Sequence, residues 1–343
     1  MKSVHIVGGG LAGLTLGLRL RQLDVPVELY EAGSYPRHRV CGEYLSGRGR
    51  DFLRSLISEE TLQQAGARHS SGLRVYRRNH TLPGQTLPRP ALCLSRHRLD
   101  QLLANQFSSQ GGRLHLQTRQ APPTGEGWVT ATGRQPAVRD EGWRWIGLKA
   151  HALDLSLGED LEMHLTPHGY VGLCAVEENR VNVCGLFRTK ETVPDLARRW
   201  RDWLGGEPGS ALHRRLQNVR WDESSFSSVS AISLRPRRAI HQPGVRVGDA
   251  LTMIPPLTGN GMSMAVEGAF LSAGPLADWS QGTIDWPACL KQIAGTLDGC
   301  FSSRLRWARL LQQSILHPFG QPLLWHLASA FPFLPQLLFR QTR

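Results

Sequence analysis

The sequence predicts an α/β fold. It combines a doubly wound, Rossmann-like nucleotide-binding domain, an interleaved and mostly antiparallel β domain, and a helical C-terminal region. Three observations carry that expectation. The first is a strand–glycine turn–helix unit at the extreme N-terminus. The second is a long β-rich stretch in the middle of the chain. The third is a late return to strand–turn–helix after Val245, which resumes the first domain.

The opening unit is read as follows. VHIV (Val4 to Val7) is a short β-branched run that ends in glycines, Leu11 to Leu23 carries leucines at helical spacing, and VPVELYE returns to strand composition. Within VGGGLAGL, Gly8, Gly10 and Gly13 stand in the GxGxxG pattern between that strand and that helix. The first glycine permits a tight turn, the second lets a pyrophosphate approach the backbone, and the third lets the helix pack close to the sheet. Glu31 ends the second strand about 20 residues on, where an acid accepts ribose hydroxyls. An acid there disfavours a 2′-phosphate and leaves FAD and NAD open.

Further along, Leu99 to Phe107 reads as an amphipathic helix followed by Gly-Gly and the alternating strand RLHLQT. Strand composition dominates from about Trp143 to Phe187. Inside it, Glu177, Glu178 and Asn179 form a hairpin turn between two strand-like arms. Pro194 to Leu216 reads as helical. The expected organisation is therefore discontinuous. Residues 1–70, 90–140 and 240–285 make the nucleotide-binding domain, 71–89 and 141–239 the β-rich domain, and 286–343 the helical end.

Composition narrows the class. The 343 residues are 41% apolar with a mean hydropathy of -0.27, as in a soluble globular protein. Forty Lys and Arg against 28 Asp and Glu give a net charge of +12, and lysine occurs only at Lys2, Lys149, Lys190 and Lys291. An arginine excess suits an anionic cofactor, an acidic substrate or an anionic membrane surface. The arginines are scattered and not interleaved with aromatics, so no nucleic acid partner is expected. The six cysteines show neither a CxxC pair nor zinc spacing, and no metal site is expected. Reduced thiols, with a first strand starting almost at Met1, give the expectation of a cytoplasmic protein without a signal peptide.

The pieces VGGGLAGL, RHRVCGEYLS, LSRHRLDQLLA, WVTATGR and VGDALTMIPPLTGNGMSMA occur in an order that resembles the FAD-dependent monooxygenase and geranylgeranyl-reductase superfamily, with the para-hydroxybenzoate hydroxylase type of fold. The resemblance implies FAD as cofactor. It implies contacts from Gly8, Gly10, Ala12, Gly13, Glu31 and Ala32 at the dinucleotide end, and an arginine, Arg96, along the phosphates. It implies that Asp249 accepts a ribityl hydroxyl, and that Cys41 and Gly42 lie on a loop beside the isoalloxazine. Pro256, Gly259, Asn260, Gly261 and Met262 would belong to the turn facing the ring. Elementary chemistry supports that last placement: a helix N-terminus stabilises the negative charge of a reduced flavin, and Pro255 with Pro256 fixes the turn ahead of it.

The resemblance also implies an FAD-dependent oxidoreductase. The leading expectation is a monooxygenase that hydroxylates a hydrophobic aromatic or polyketide-like molecule through a flavin hydroperoxide. The alternatives are a reductase of carbon–carbon double bonds and a non-catalytic flavoprotein that binds another protein. Halogenases of this superfamily resemble one another in a WxWxIP motif and a catalytic lysine; halogenation is disfavoured, because Gly147 stands where the proline would follow Trp143-Arg144-Trp145-Ile146 and no lysine lies between Lys2 and Lys149. Ala131-Thr132-Gly133-Arg134 stands where an Asp-Gly motif would contact NADPH, so electrons come either from NADPH or NADH directly or through a separate flavin reductase. Candidates for proton chemistry are Cys41, Lys149 and His151, each with a structural alternative: a small packing residue, a solvated strand-edge lysine and a hydrogen-bonded histidine. From Leu310 to Phe339 the tail has no Asp, Glu, Lys or Arg and is divided by Pro318, Pro322, Pro332 and Pro335. It reads as helices over the substrate domain, as a lid, or as a peripheral membrane contact, not as a span.

Overall fold

The computed structural model describes residues 1–121, 124–136, 142–193 and 195–331. The N-terminal unit forms as its pattern dictates: β1 (Val4–Val7), α1 (Leu11–Arg21) and β2 (Val27–Tyr30). A short β3 (Tyr44–Leu45) and the helices α2 (Arg48–Arg54) and α3 (Glu59–Gln64) follow. Next come β4 (Arg68–Arg77), β5 (His80–Thr81), β6 (Gln85–Cys93) and α4 (Arg96–Ser109). The chain then returns to the first layer with β7 (Arg113–His115) and β8 (Trp128–Thr130).

The β-rich middle is β9 (Arg144–Leu153), β10 (Leu161–Thr166), β11 (Gly169–Ala175) and β12 (Arg180–Thr189). The turn between β11 and β12 sits at Glu178 and Asn179, both left-handed, as the sequence suggests. The stretch to Leu216 that reads as helical holds two helices, α5 (Leu196–Gly205) and α6 (Ala211–Leu216), divided at Gly206 with its φ of 73°. Pro194 lies outside the described residues. After α6 come β13 (Arg220–Val229), β14 (Val245–Arg246), α7 (Gly261–Gln281), α8 (Trp286–Leu316) and α9 (Gly320–Ala330).

Two sheets result. The first is parallel, in the order β14-β8-β1-β2-β7. The second has nine strands, ordered β13-β9-β12-β11-β10-β4-β6-β3 with β5 on β4. It is largely antiparallel, except that β10 runs parallel to β4. It takes in Tyr44–Leu45, which the sequence grouped with the other domain, because Tyr44 pairs with Cys93 and Leu45 with Leu92.

Each sheet has its own core. Leu14, Leu18, Leu29, Val129, Val266 and Leu297 belong to the larger one, where α1 packs on α7 and α7 on α8. The second sheet is backed by Trp200, Leu204 and Leu212 from α5 and α6. Pairing of Val245 with Val129 puts the late Gly-Asp turn beside the N-terminal glycines. That approach is close: a Cβ on Gly248 would stand 2.8 Å from the Ala12 methyl, and Gly248 has a φ of 60°.

Candidate functional site

Between the two sheets lies a cavity of about 1070 Å³. One end is made by the nucleotide-type turn. Gly8 has a φ of 108°, and a Cβ there would come within 2.4 Å of the Ala131 carbonyl oxygen, so the turn is closed to any larger residue. Glu31 accepts from Gly9 N–H (2.8 Å) and Gly33 N–H (2.8 Å) and pairs with Arg37 at 2.6 Å. Burial works against its charge, but the Arg37 guanidinium and the two amides prevail and hold its pKa at about 2. Glu31 is thus a fixed anion at the cavity wall.

At the same end, Arg96 opens α4 and forks onto Asp100 one turn later, with Nε–Oδ1 and Nη2–Oδ2 both 2.7 Å. It is a held guanidinium lining the cavity, not a solvated surface group. Asp249 reaches the cavity from the late turn. Burial raises its pKa to about 6, against the pull of Arg96, Arg237 and Arg134. No described residue donates a hydrogen bond to its side chain, which leaves an acceptor facing the cavity. Beyond it, Pro256, Gly259, Gly261 and Met262 line the wall where α7 begins, and the Asn260 side chain makes no cap hydrogen bond to the amides of that helix N-terminus.

Of the remaining dinucleotide-end candidates, Gly10, Ala12, Ala32, Cys41 and Gly42 line the cavity. Gly13 and Asn260 do not. Gly13 packs against the Gly8 carbonyl, where a Cβ would come within 2.0 Å, and Asn260 is buried beneath the turn.

Lys149 is not the solvated strand-edge lysine that was its structural alternative. β9 lies between β12 and β13, and the Lys149 and His151 side chains are both fully buried. They converge on Glu43: Lys149 Nζ stands 3.3 Å from Oε1, and His151 Nε2 stands 2.7 Å from Oε2. The Arg96 amide donates to the same carboxylate at 3.0 Å. Burial opposes the Glu43 charge, yet His151 and Lys149 keep its pKa low. Neither Lys149 nor His151 lines the cavity. Lys149 reaches it through His38, donating to His38 Nδ1 at 3.2 Å. Burial, then Lys149, lowers the His38 pKa to about 4, so its ring is neutral at pH 7. With Nδ1 accepting, the ring proton sits on Nε2 of a histidine that lines the cavity. Cys41 also lines it, but burial raises its pKa and keeps it a thiol.

Glu43 and His38 were not singled out in the sequence. Glu43 follows Cys41-Gly42 directly in CGE, and His38 lies between Arg37 and Arg39 in what resembles a solvated basic run.

The far end of the cavity is apolar. Leu73, Val75, Met163 and Tyr170 come from the second sheet, and Ile315 and Trp325 from α8 and α9. The Tyr170 hydroxyl is satisfied by Gln312 at 3.1 Å.

No model of a known protein family matches the sequence, and none of the curated proteins matches it. Solved structures do. The flavin-dependent brominase Bmp2 superposes with a TM-score of 0.76 at 16% identity, over 99% of this chain and 92% of that one. PqsL of Pseudomonas aeruginosa, described as a probable FAD-dependent monooxygenase, gives 0.70 at 17% identity, over 93% of this chain and 98% of that one. The halogenase PltM gives 0.71 at 14% identity, over 98% and 83%. The chain shares its fold with these three flavin-dependent proteins. At these identities the likeness is one of fold, and the residues around the cavity carry whatever is particular to this chain.

Among the described residues no cluster of ligands could hold a metal ion, and no helix is long and apolar enough to cross a membrane.

Proposed function

We propose that the protein binds FAD in this cavity and hydroxylates a hydrophobic, aromatic or polyketide-like small molecule, with electrons from NADPH or NADH or from a separate flavin reductase. The carrying observation is that one continuous cavity joins a dinucleotide turn, the unpartnered acceptor Asp249 and an apolar chamber. The residues present fit the cofactor. Gly8 and Gly10 leave room for a pyrophosphate, Arg96 offers it a fixed cation, Glu31 suits ribose hydroxyls and Asp249 a ribityl hydroxyl. The N-terminus of α7 favours negative charge on a ring placed there. When bound, the flavin would supply the redox step and the activation of oxygen.

The chain's own residues would do the rest. Leu73, Met163, Ile315 and Trp325 exclude water and hold an apolar substrate. His38 offers an N–H at the cavity wall, and its tautomer is set by Lys149, which Glu43 holds in place. The protein offers no thiolate at Cys41.

Purified protein should be yellow and release FAD on denaturation. Incubated with NADPH, oxygen and a panel of hydrophobic phenols and ketides, it should return products that have gained one oxygen atom. A saturated product would replace the hydroxylation reading with the reductase one. Halogenation has the likeness to Bmp2 behind it, and adding bromide to the same incubation tests it. Brominated products would favour that second reading, against the sealed position of Lys149. Flavin content without turnover on any substrate would favour a non-catalytic flavoprotein.

A further inference from the structure

Helix α9, with its flanking Phe319 and Phe331, is apolar both toward the cavity and toward the outside. Leu324, Trp325 and Ala328 line the cavity, while Phe319, Leu323, Leu327 and Phe331 face outward. Phe319 is 82% exposed and Leu323 60%. The same end of α8 exposes Trp307 and Leu310. A helix with oily faces on both sides is ordinarily covered on both. The charge pattern says by what. From Gly299 to Arg343 the sequence contains no Asp or Glu, while Arg306, Arg309, Arg340 and Arg343 add positive charge. Arg306 and Arg309 neighbour the exposed Trp307 and Leu310 in sequence, the combination of aromatic, aliphatic and arginine found in helices lying in a lipid headgroup layer. A second copy of the chain would set these cations against themselves, and exposed Trp, Leu and Phe beside arginine with no acid suit an anionic lipid surface.

We infer that the α8–α9 end docks on an anionic membrane surface, with α9 lying in the interface as the wall between bilayer and cavity. The apolar outer face enters the acyl boundary while Arg306 and Arg309 meet anionic headgroups. Apolar molecules dissolved in the bilayer then have one helix between them and the chamber. That delivery role rests on the function proposed above; the docking does not.

The test is sedimentation of the full-length, FAD-supplemented protein with phosphatidylcholine vesicles and with mixed phosphatidylcholine–phosphatidylglycerol vesicles. We expect binding that rises with phosphatidylglycerol and weakens with salt. A Phe319→Ser/Leu323→Ser variant should bind the mixed vesicles at least about tenfold more weakly with its flavin content unchanged. An Arg306→Gln/Arg309→Gln variant should lose about tenfold or more on mixed vesicles and nothing on phosphatidylcholine alone. Binding indifferent to phosphatidylglycerol, or full binding by the Phe319→Ser/Leu323→Ser variant, overturns the inference. So does a concentration-dependent dimer that this variant abolishes, which would assign the face to a second copy. Flavin absorbance read on the same samples separates the two readings: vesicle binding without flavin would sink the proposed function and leave the docking intact.

Discussion

At the scale of single residues, two carboxylates of the cavity are held in opposite ways. Glu31 is ionised by Arg37 and the Gly9 and Gly33 amides, and its pKa falls from 4.5 to about 2. Its contribution to stability is present above pH 4.5 and lost as pH falls through about 2. Glu31→Gln should cost up to about 3 kcal/mol near neutral pH, read as a drop in unfolding free energy that shrinks on acidification. Asp249 is the reverse. Its pKa rises from 3.8 to about 6, so the cofactor-free fold bears the cost of ionising it above about pH 6, and that cost fades toward 3.8. Asp249→Asn should raise the melting temperature of the cofactor-free protein above about pH 7 and leave it unchanged near pH 4, while weakening FAD binding. A melting temperature unchanged at both pH values would mean that Asp249 carries no such cost. Glu43 is a third case. Lys149→Met would leave the buried Glu43 carboxylate without its fixed cation, held only by His151 and the Arg96 amide, costing about 3–5 kcal/mol, whereas Glu43→Leu with Lys149→Met should recover part of that loss. Urea unfolding of both variants checks this.

At the scale of elements, the glycines do the positioning, and their spacing is what made the fold readable. β1, α1 and β2 were legible because strand, turn, helix and acid stand at fixed separations. The hairpin at Glu178 and Asn179 was legible from composition. Lys149 was not, because a lone lysine in a strand reads as an edge residue until the strands on both sides of β9 are known. Glu43 and His38 escaped for a similar reason: what buries them is a strand about a hundred residues away. The break between α5 and α6 is a local matter that Gly205-Gly206 announces. The Gly248 turn yields a test at this scale. Gly248→Ala puts a methyl 2.8 Å from Ala12 at a φ of 60°, so the turn must move away from α1. FAD affinity should fall at least about tenfold with a smaller loss of stability, read by flavin fluorescence quenching and thermal melting.

At the scale of the whole molecule, two sheets with separate cores enclose one cavity, whose ends differ in chemistry. The polar end gathers Gly8, Glu31, Arg96 and Asp249; the apolar end is closed by α8 and α9. Enlarging the apolar end should leave the polar end alone, so Trp325→Ala should retain flavin and shift turnover toward bulkier substrates. Both depend on the central claim that the polar end takes FAD. Calorimetric titration of the cofactor-free protein with FAD, run beside NAD, tests it most directly. One FAD bound per chain, at least about a hundredfold tighter than NAD and weakened by Asp249→Asn, is the result expected. No heat with FAD, or equal affinity for NAD, would contradict it.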